Sequence, residues 1–406
     1  MISRTIFMCL TLLASTEWGH AGSIDVFAVR SFIQPHVVEE FEKEYPDIKV
    51  ELRTPAADYD ELTERLLRDS IAGTEPDVLF QGYNRFQLTV QRGLTAPLGN
   101  LLEQDNEWMR ANYKPTVNTL CRTGDEIFGL PYSISVPVLF YNPNLVKMAG
   151  ADPANFPNNW KDITFLARKI TDLGGGRIGG FFDYASSGNW TFMGLVNSQG
   201  GSMMSADDKS IAFDGQEGIR ALEVVEMFGK SGQVDMTREQ AWQAFSAGKI
   251  GILVSASGFL KMLSEQAQFP VQVATFPMSR NGFLPAGGNC MMVLAEDAQK
   301  RADAWTFIKF MASPTIQKKG FEATGGTPGN LLGVADLTKN ADPDDPRMVA
   351  IRASALAGEW YSFPGPKSLK ITDTIKTFLR DVVTLKQSPA DAMKGMVVAV
   401  QKLRPE

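Results

Sequence analysis

Between residues 24 and 80 the chain alternates short apolar runs with segments of helical periodicity, and few architectures accept that order. Ile24 to Val29 (IDVFAV) has the length and apolarity of a strand buried on both faces. Pro35 suits a first helical turn, and Val37, Val38, Phe41 and Tyr45 recur at helical spacing until Pro46 stops them. Ile48, Val50 and Leu52 alternate with charges, as a half-buried strand does. Asp58 and Glu61 have the spacing of a capping box. Leu62, Leu66, Leu67 and Ile71 then form one helical face, which Gly73 ends. Asp77 to Phe80 reads as a third strand. A βαβαβ order implies a mainly parallel sheet covered by helices.

A second α/β pattern follows Pro131. Val136 to Tyr141 (VPVLFY), Gly251 to Ser255 (GILVS) and Val271 to Phe276 (VQVATF) read as strands. Helical stripes lie at Trp160 to Leu173, after Asp214 as a cap, around Trp242 and Phe245, and from Ala298 to Met311. The polar, proline-rich stretch 340–347 reads as a linker or an exposed turn. Two further helices are expected over Asp373 to Leu385 and Pro389 to Leu403. Trp108, Trp160, Trp242 and Trp305 sit on helical faces and are assigned to the core.

The 406 residues allow about two or three domains at roughly 150 residues each. Lysine plus arginine number 40 against 46 aspartates and glutamates, a net charge of −6 that repels phosphate backbones and argues against nucleic acid as a partner. Residues 1–21 read as an export signal: Arg4, the apolar run Ile6 to Ala14, then small residues at Gly19 and Ala21. The exported chain then begins near Gly22 and keeps Cys121, Cys290 and His36. In an oxidising compartment the two cysteines either pair or stay as buried thiols. One histidine excludes zinc sites of two or three histidines and leaves only His36 for a Ser-His-Asp triad. No metal or other cofactor is expected, whereas carboxylate-only glycosidase chemistry stays open.

Several stretches together resemble a known family. They are Phe41 to Val50 (FEKEYPDIKV), Gly73 to Val78 (GTEPDV), Leu130-Pro131-Tyr132 followed by Pro137 to Asn142 (PVLFYN), Asn159 to Asp162 (NWKD), Phe245 to Gly251 (FSAGKIG) and Thr324 to Pro328 (TGGTP). In order and spacing over residues 24–404 they look like the extracellular solute-binding proteins of bacterial ABC importers, family 1, in the group that binds sugars and glycerol 3-phosphate. The resemblance implies a type II periplasmic binding protein fold: two α/β lobes, each a mainly parallel sheet flanked by helices, with the ligand in the cleft between them. It places lobe one at 22–134 plus 285–340 and lobe two at 135–284 plus 341–406.

In open parallel sheets, ligands sit beyond the carboxyl ends of strands, so the loops there carry the candidate contacts. After the first strand, Gln34 can bond a hydroxyl and His36 can meet an anion, or both simply open the helix. Gln81, Tyr83 and Asn84 are polar groups directly beyond a buried strand. Asn189 and Trp190 follow the Phe181-Phe182 strand, and Trp190 either stacks on a sugar or joins the core. Gly288 and Asn289 mark a second crossing, where a bare backbone can approach a ligand or act as hinge. Trp360 precedes the penultimate helix. The resemblance adds Tyr59, Ser135 and Ser257 as contact positions. It also places Tyr83 where glycerol-phosphate binders carry a carboxylate and Gly326 where the family carries a tyrosine, and it leaves Lys367 or Lys370 to replace a phosphate-binding arginine.

The expected function is capture of a sugar, polyol or glycerol-phosphate-type solute in the periplasm, by a monomer, for delivery to the membrane permease subunits of an ABC importer, without catalysis. Two rivals remain at this level: an exported carbohydrate-active hydrolase, with Asp77 and Asp183 as its available carboxylates, and a ligand-binding sensor not coupled to transport.

Overall fold

The computed structural model describes residues 22–29, 33–117, 119–339, 341–342 and 345–404. The expected signal, 1–21, and three residues of the 340–347 turn lie outside them.

The opening alternation forms as expected. Strand β1 (Gly22–Phe27), helix α1 (Pro35–Glu44), strand β2 (Ile48–Leu52), helix α2 (Tyr59–Ala72), strand β3 (Val78–Gly82) and helix α3 (Tyr83–Gln91) follow one another. Each boundary has a chemical cause. Pro35 opens α1, whose Val37 and Phe41 turn inward. The Asp58 carboxylate accepts the Asp60 and Glu61 amides to open α2, while Glu61 reaches back to the Ala57 amide. Gly73 closes α2 at φ 66°, the left-handed conformation that glycine adopts at least cost.

After β4 (Gly129–Ser135) the chain enters a second sheet through β5 (Pro137–Tyr141). Helix α4 (Trp160–Asp172), strand β6 (Ile178–Phe182), helices α5 (Trp190–Asn197), α6 (Gln216–Lys230) and α7 (Arg238–Ser246), and strands β7 (Ile250–Ala256) and β8 (Gln272–Thr275) complete that stretch. Strand β9 (Gly287–Val293), helix α8 (Ala298–Ala312) and strand β10 (Thr327–Pro328) return to the first sheet, before helices α9 (Ser368–Val383) and α10 (Pro389–Leu403) end the chain. Gly215, not Asp214, is the N-cap of α6. Helix α9 starts a turn earlier than Asp373, because Lys367 and Ser368 already adopt its opening turn.

Sheet one runs β10-β4-β9-β3-β1-β2 and sheet two runs β8-β5-β7-β6. The expectation of mainly parallel sheets needs correction. Within these two sheets, parallel pairing is confined to β1 with β2 and β3, and to β6 with β7. Strand β9 runs antiparallel to both β3 and β4, and β5 antiparallel to both β7 and β8. The reason is topological: β4, β5 and β9 carry the chain between sheets, so they are not the product of a right-handed βαβ crossover. The architecture is nonetheless two α/β layers of sheet and helix with a crevice between them.

Cys121 and Cys290 are bonded, their Cα atoms 5.7 Å apart and 169 residues apart in sequence. The bond ties the segment after α3 to β9, next to Asn289. Reduction, or Cys121→Ser, is expected to lower stability by about 2–5 kcal/mol, read as a fall in the urea midpoint. An unchanged midpoint, or two thiols reacting in the unfolded, unreduced protein, would refute the bond.

Candidate functional site

The loops at the facing ends of the two sheets meet in a polar seam. Lobe-one elements supply Tyr59 and Asp60 from the start of α2, Asn84 and Arg85 from α3, and Asn289 from β9. Residues from the other side are Ser187, Gly188 and Asn189 before α5, Trp190, Trp360, and Ser368 and Thr372 on α9.

Register explains the convergence. Asn289 pairs with Gly82, so β9 presents it beside the end of β3, and the pairing shifts between Asn289 and Cys290. The Asn289 Nδ2 donates to the Tyr59 hydroxyl at 3.2 Å. Opposite them, Gly188 (φ 57°) and Asn189 (φ 56°) are consecutive left-handed residues, a turn that brings Trp190 to the start of α5. Space there is tight: a Cβ on Gly188 would lie 2.3 Å from Asn84 Nδ2 and 3.3 Å from Trp360. The Trp360 ring stands between Tyr59 and Trp190, with both centroid separations 6.1 Å. The Trp190 indole N–H donates to the Pro285 carbonyl at 2.9 Å, which fixes that ring at the second crossing.

One charge pair, within lobe one, lies at the seam and reaches across it by hydrogen bonds. Arg85 is 1% exposed and donates to Asp60 Oδ1 at 2.8 Å and 3.1 Å. Its Nη1 also donates to the Ser368 hydroxyl at 2.8 Å and its Nη2 to the Thr372 hydroxyl at 3.2 Å. The Asn189 amide donates to the Thr372 carbonyl at 2.8 Å, adding a second tie to α9.

Within this closely fitted seam, several buried polar atoms have no hydrogen-bond partner: both side-chain atoms of Asn84, the Oδ1 of Asn189 and of Asn289, Ser187 Oγ and the Trp360 Nε1. An unpaired buried polar group costs about 1–3 kcal/mol, so a cluster of them at one place is a feature of sites rather than of cores.

Beside the seam, between the lobes, opens a cavity of about 930 Å³. Ser133, Ser135, Asp58 and Gly326 line it from one side; Tyr184, Arg238, Trp242, Phe259 and Arg380 line it from the other. Trp242, expected in the core, packs against it and also lies on the cavity wall, its ring 4.3 Å from that of Phe259 and 5.9 Å from the Arg238 guanidinium. Burial raises the Asp183 carboxyl, an effect opposed by Arg238, which donates to it at 2.7 Å. The Asp235 carboxyl is held low by hydrogen bonds, first from Arg380 and then from Tyr184. Burial pushes the Tyr59 and Tyr83 phenols up, so both remain protonated at neutral pH.

Of the candidate contacts, Tyr59, Tyr83, Asn84, Asn189, Trp190, Gly288, Asn289 and Trp360 lie in or against the seam. Gly288 (φ 115°) lies so close to the Ser133 carbonyl and Tyr83 that a side chain there would collide with both, and the Tyr83 hydroxyl donates to that carbonyl at 3.1 Å. Ser135 lines the cavity, and Ser257 Oγ accepts the Val136 amide at the first crossing. Gln81 sits behind the seam, its amide paired with Thr89 and with the Gly82 amide. Gln34 is the N-cap residue of α1 and does not line the cavity, and His36 beside it is exposed. Lys367 and Lys370 are exposed and do not line it either. Asp60 and Arg85 went unread in the sequence. Asp77 pairs with Lys300 at the amino end of β3, and Asp183 with Arg238, so the two carboxylates a hydrolase would need are not assembled together.

Two lobes joined by strand crossings, with polar and aromatic side chains from both meeting in the crevice, define a binding protein that encloses its ligand. The chain belongs to the bacterial extracellular solute-binding protein family, whose sequence profile matches residues 36–347. That family binds solutes rather than transforming them. The sn-glycerol-3-phosphate-binding periplasmic protein UgpB of Escherichia coli is 22% identical over 308 residues, covering 72% of this chain and 70% of that one. The fold is similar to UgpB of Mycobacterium tuberculosis in complex with glycerophosphocholine, at a TM-score of 0.82 and 20% identity over 94% of this chain and 98% of that one. It is also similar to a Thermotoga lettingae ABC transporter solute-binding protein bound with α-D-tagatose, at a TM-score of 0.80 and 19% identity over 94% of this chain and 99% of that one. Among the described residues no helix is long and apolar enough to cross a membrane.

Because removing one partner of a buried ion pair strands the other, Arg85→Ala is expected to cost about 3–5 kcal/mol in urea unfolding. Arg347→Ala, at the half-exposed pair with Asp345, is expected to cost no more than about 1 kcal/mol. Equal losses would show that Arg85 is not the buried tie described.

Proposed function

We propose that this chain is the periplasmic solute-binding component of an ABC importer, working as a monomer and delivering a small hydroxylated solute of the sugar, polyol or glycerol-phosphate type to the permease subunits. We assign lobe one to 22–134 plus 285–340 and lobe two to 135–284 plus 341–406, a division that follows sheet membership except at Ser135, the last residue of β4. The helix Pro346–Ser354 touches both lobes: Ser354 bonds the Thr327 hydroxyl at 2.7 Å, and the same helix packs against β8.

The observation that carries this reading is the meeting of unpartnered amide, hydroxyl and indole groups with three aromatic rings at one interlobe seam. A sugar or polyol presents hydroxyls that need paired donors and acceptors, and a C–H face that aromatic rings cover. The adjoining cavity of about 930 Å³ lies within the usual range for a small-molecule site. Side chains from both lobes contribute, so a ligand touching all of them binds the closed form more tightly than the open one and shifts the population toward it.

The test is isothermal titration against a panel of sugars, polyols and glycerol 3-phosphate, with small-angle scattering before and after ligand. A compound that binds is expected to reduce the radius of gyration. Asn84→Ala and Trp360→Ala are each expected to weaken its binding about tenfold to a hundredfold, roughly 1.4–2.8 kcal/mol; Asn84→Ala is expected to keep its unfolding midpoint, whereas Trp360→Ala, which empties a buried ring site, is expected to lower it. Neither heat nor compaction with any member of the panel would overturn the reading.

A further inference from the structure

We infer that the crevice is matched to an uncharged solute and selects against phosphate esters, because every cation on its walls is already neutralised by a carboxylate of the same protein. This rests on the binding role proposed above and narrows it.

The buried cation of the seam, Arg85, has its Nε and Nη2 on Asp60, with Nη2 also on Thr372 and Nη1 on Ser368. Binding a phosphate there would require breaking that set while Asp60, at 2.8 Å, repelled the incoming charge. The cations that line the cavity repeat the pattern. Arg238 pairs with Asp183 at 2.7 Å, Arg380 with Asp235 at 2.5 Å, and Lys376 with Asp373 at 3.4 Å. Asp58, Asp235, Glu239 and Glu265 also line the cavity, so its own carboxylates outnumber its cations.

The unpartnered atoms of the seam point the same way. The Oδ1 atoms of Asn84, Asn189 and Asn289 accept hydrogen bonds, and the donors left over are the Asn84 amide and the Trp360 indole, with Ser187 Oγ able to do either. Hydroxyl groups satisfy such a set because each both donates and accepts. A phosphate dianion accepts only and would face amide oxygens. Rejection by unpaired like charge and mismatched acceptors is how a polar site discriminates between ligands of similar shape.

The experiment is isothermal titration of the full exported chain with matched pairs: glycerol against sn-glycerol 3-phosphate, glucose against glucose 6-phosphate, and ribitol against ribitol 5-phosphate. It is run at about 20 mM and 200 mM salt, where screening differs. The expected result is a neutral member bound at least thirtyfold more tightly than its ester, with the gap shrinking at the higher salt. Asp60→Asn frees Arg85 and is expected to narrow the gap at least tenfold. Asp235→Asn does the same for Arg380 on a more exposed pair and serves where the buried change impairs folding. An ester bound as tightly as its neutral partner, or a gap that both variants leave untouched, overturns the inference while leaving the binding role intact. No binding of any member overturns the binding role, and this inference with it.

Discussion

Val136 is the single residue between β4 in one sheet and β5 in the other, and the rest of the molecule is arranged around that lack of slack. It is fully buried, its amide donates to Ser257 Oγ at 3.1 Å and its carbonyl accepts the Ser257 amide at 3.0 Å. The first crossing is therefore stapled to the end of β7. The second crossing runs beside it, since Gly287 of β9 pairs with Ser135 of β4. Two adjacent extended strands of this kind can turn with small changes in backbone torsion, the usual means by which lobes close on a ligand.

That constraint also decides which side chains can meet. With the sheets abutting at the crossings, the carboxyl end of β3, the amino end of β9 and the turn after β6 all face one line. Asn84, Asn289 and the Gly188-Asn189-Trp190 turn lie there. Loops beyond strand ends are where α/β folds place ligands, and here two sheets contribute such loops to one crevice. The disulfide to Cys290, one residue past Asn289, holds β9 from the side away from that line.

The elements were legible in the sequence wherever the signal was local. Pro35, Asp58, Asn159 and Gly73 act where their chemistry says they should, and the apolar runs become the strands. The antiparallel crossings were not legible, because direction depends on where the chain has been rather than on periodicity. The same division holds at the site. Asn84, Asn189 and Trp190 could be singled out as polar or aromatic residues just past buried strands. Asp60 and Arg85 look like ordinary charges on helical faces. Their pairing spans 25 residues and the contact with Ser368 spans 283, distances over which no local pattern carries information. Trp242 packs against the core as its helical face implies, but its place on the cavity wall is not legible, because a tryptophan on an amphipathic helix looks the same in both settings.

The placement of Asp60 beside Arg85 has a consequence for closure. Both belong to lobe one, so the arginine is neutralised before the lobes meet, and lobe two need bring only the hydroxyls of Ser368 and Thr372 to it. Bringing an unpaired guanidinium into that seam would carry a heavy desolvation penalty, whereas a paired one joins it at modest cost. Closing still strands the oxygens of Asn84, Asn189 and Asn289 and the Trp360 indole, each at about 1–3 kcal/mol. Those unmet bonds oppose the ties from Arg85 to Ser368 and Thr372. A guest that satisfies them removes the opposition, so the polar groups that select the guest are also the ones that make closure depend on it.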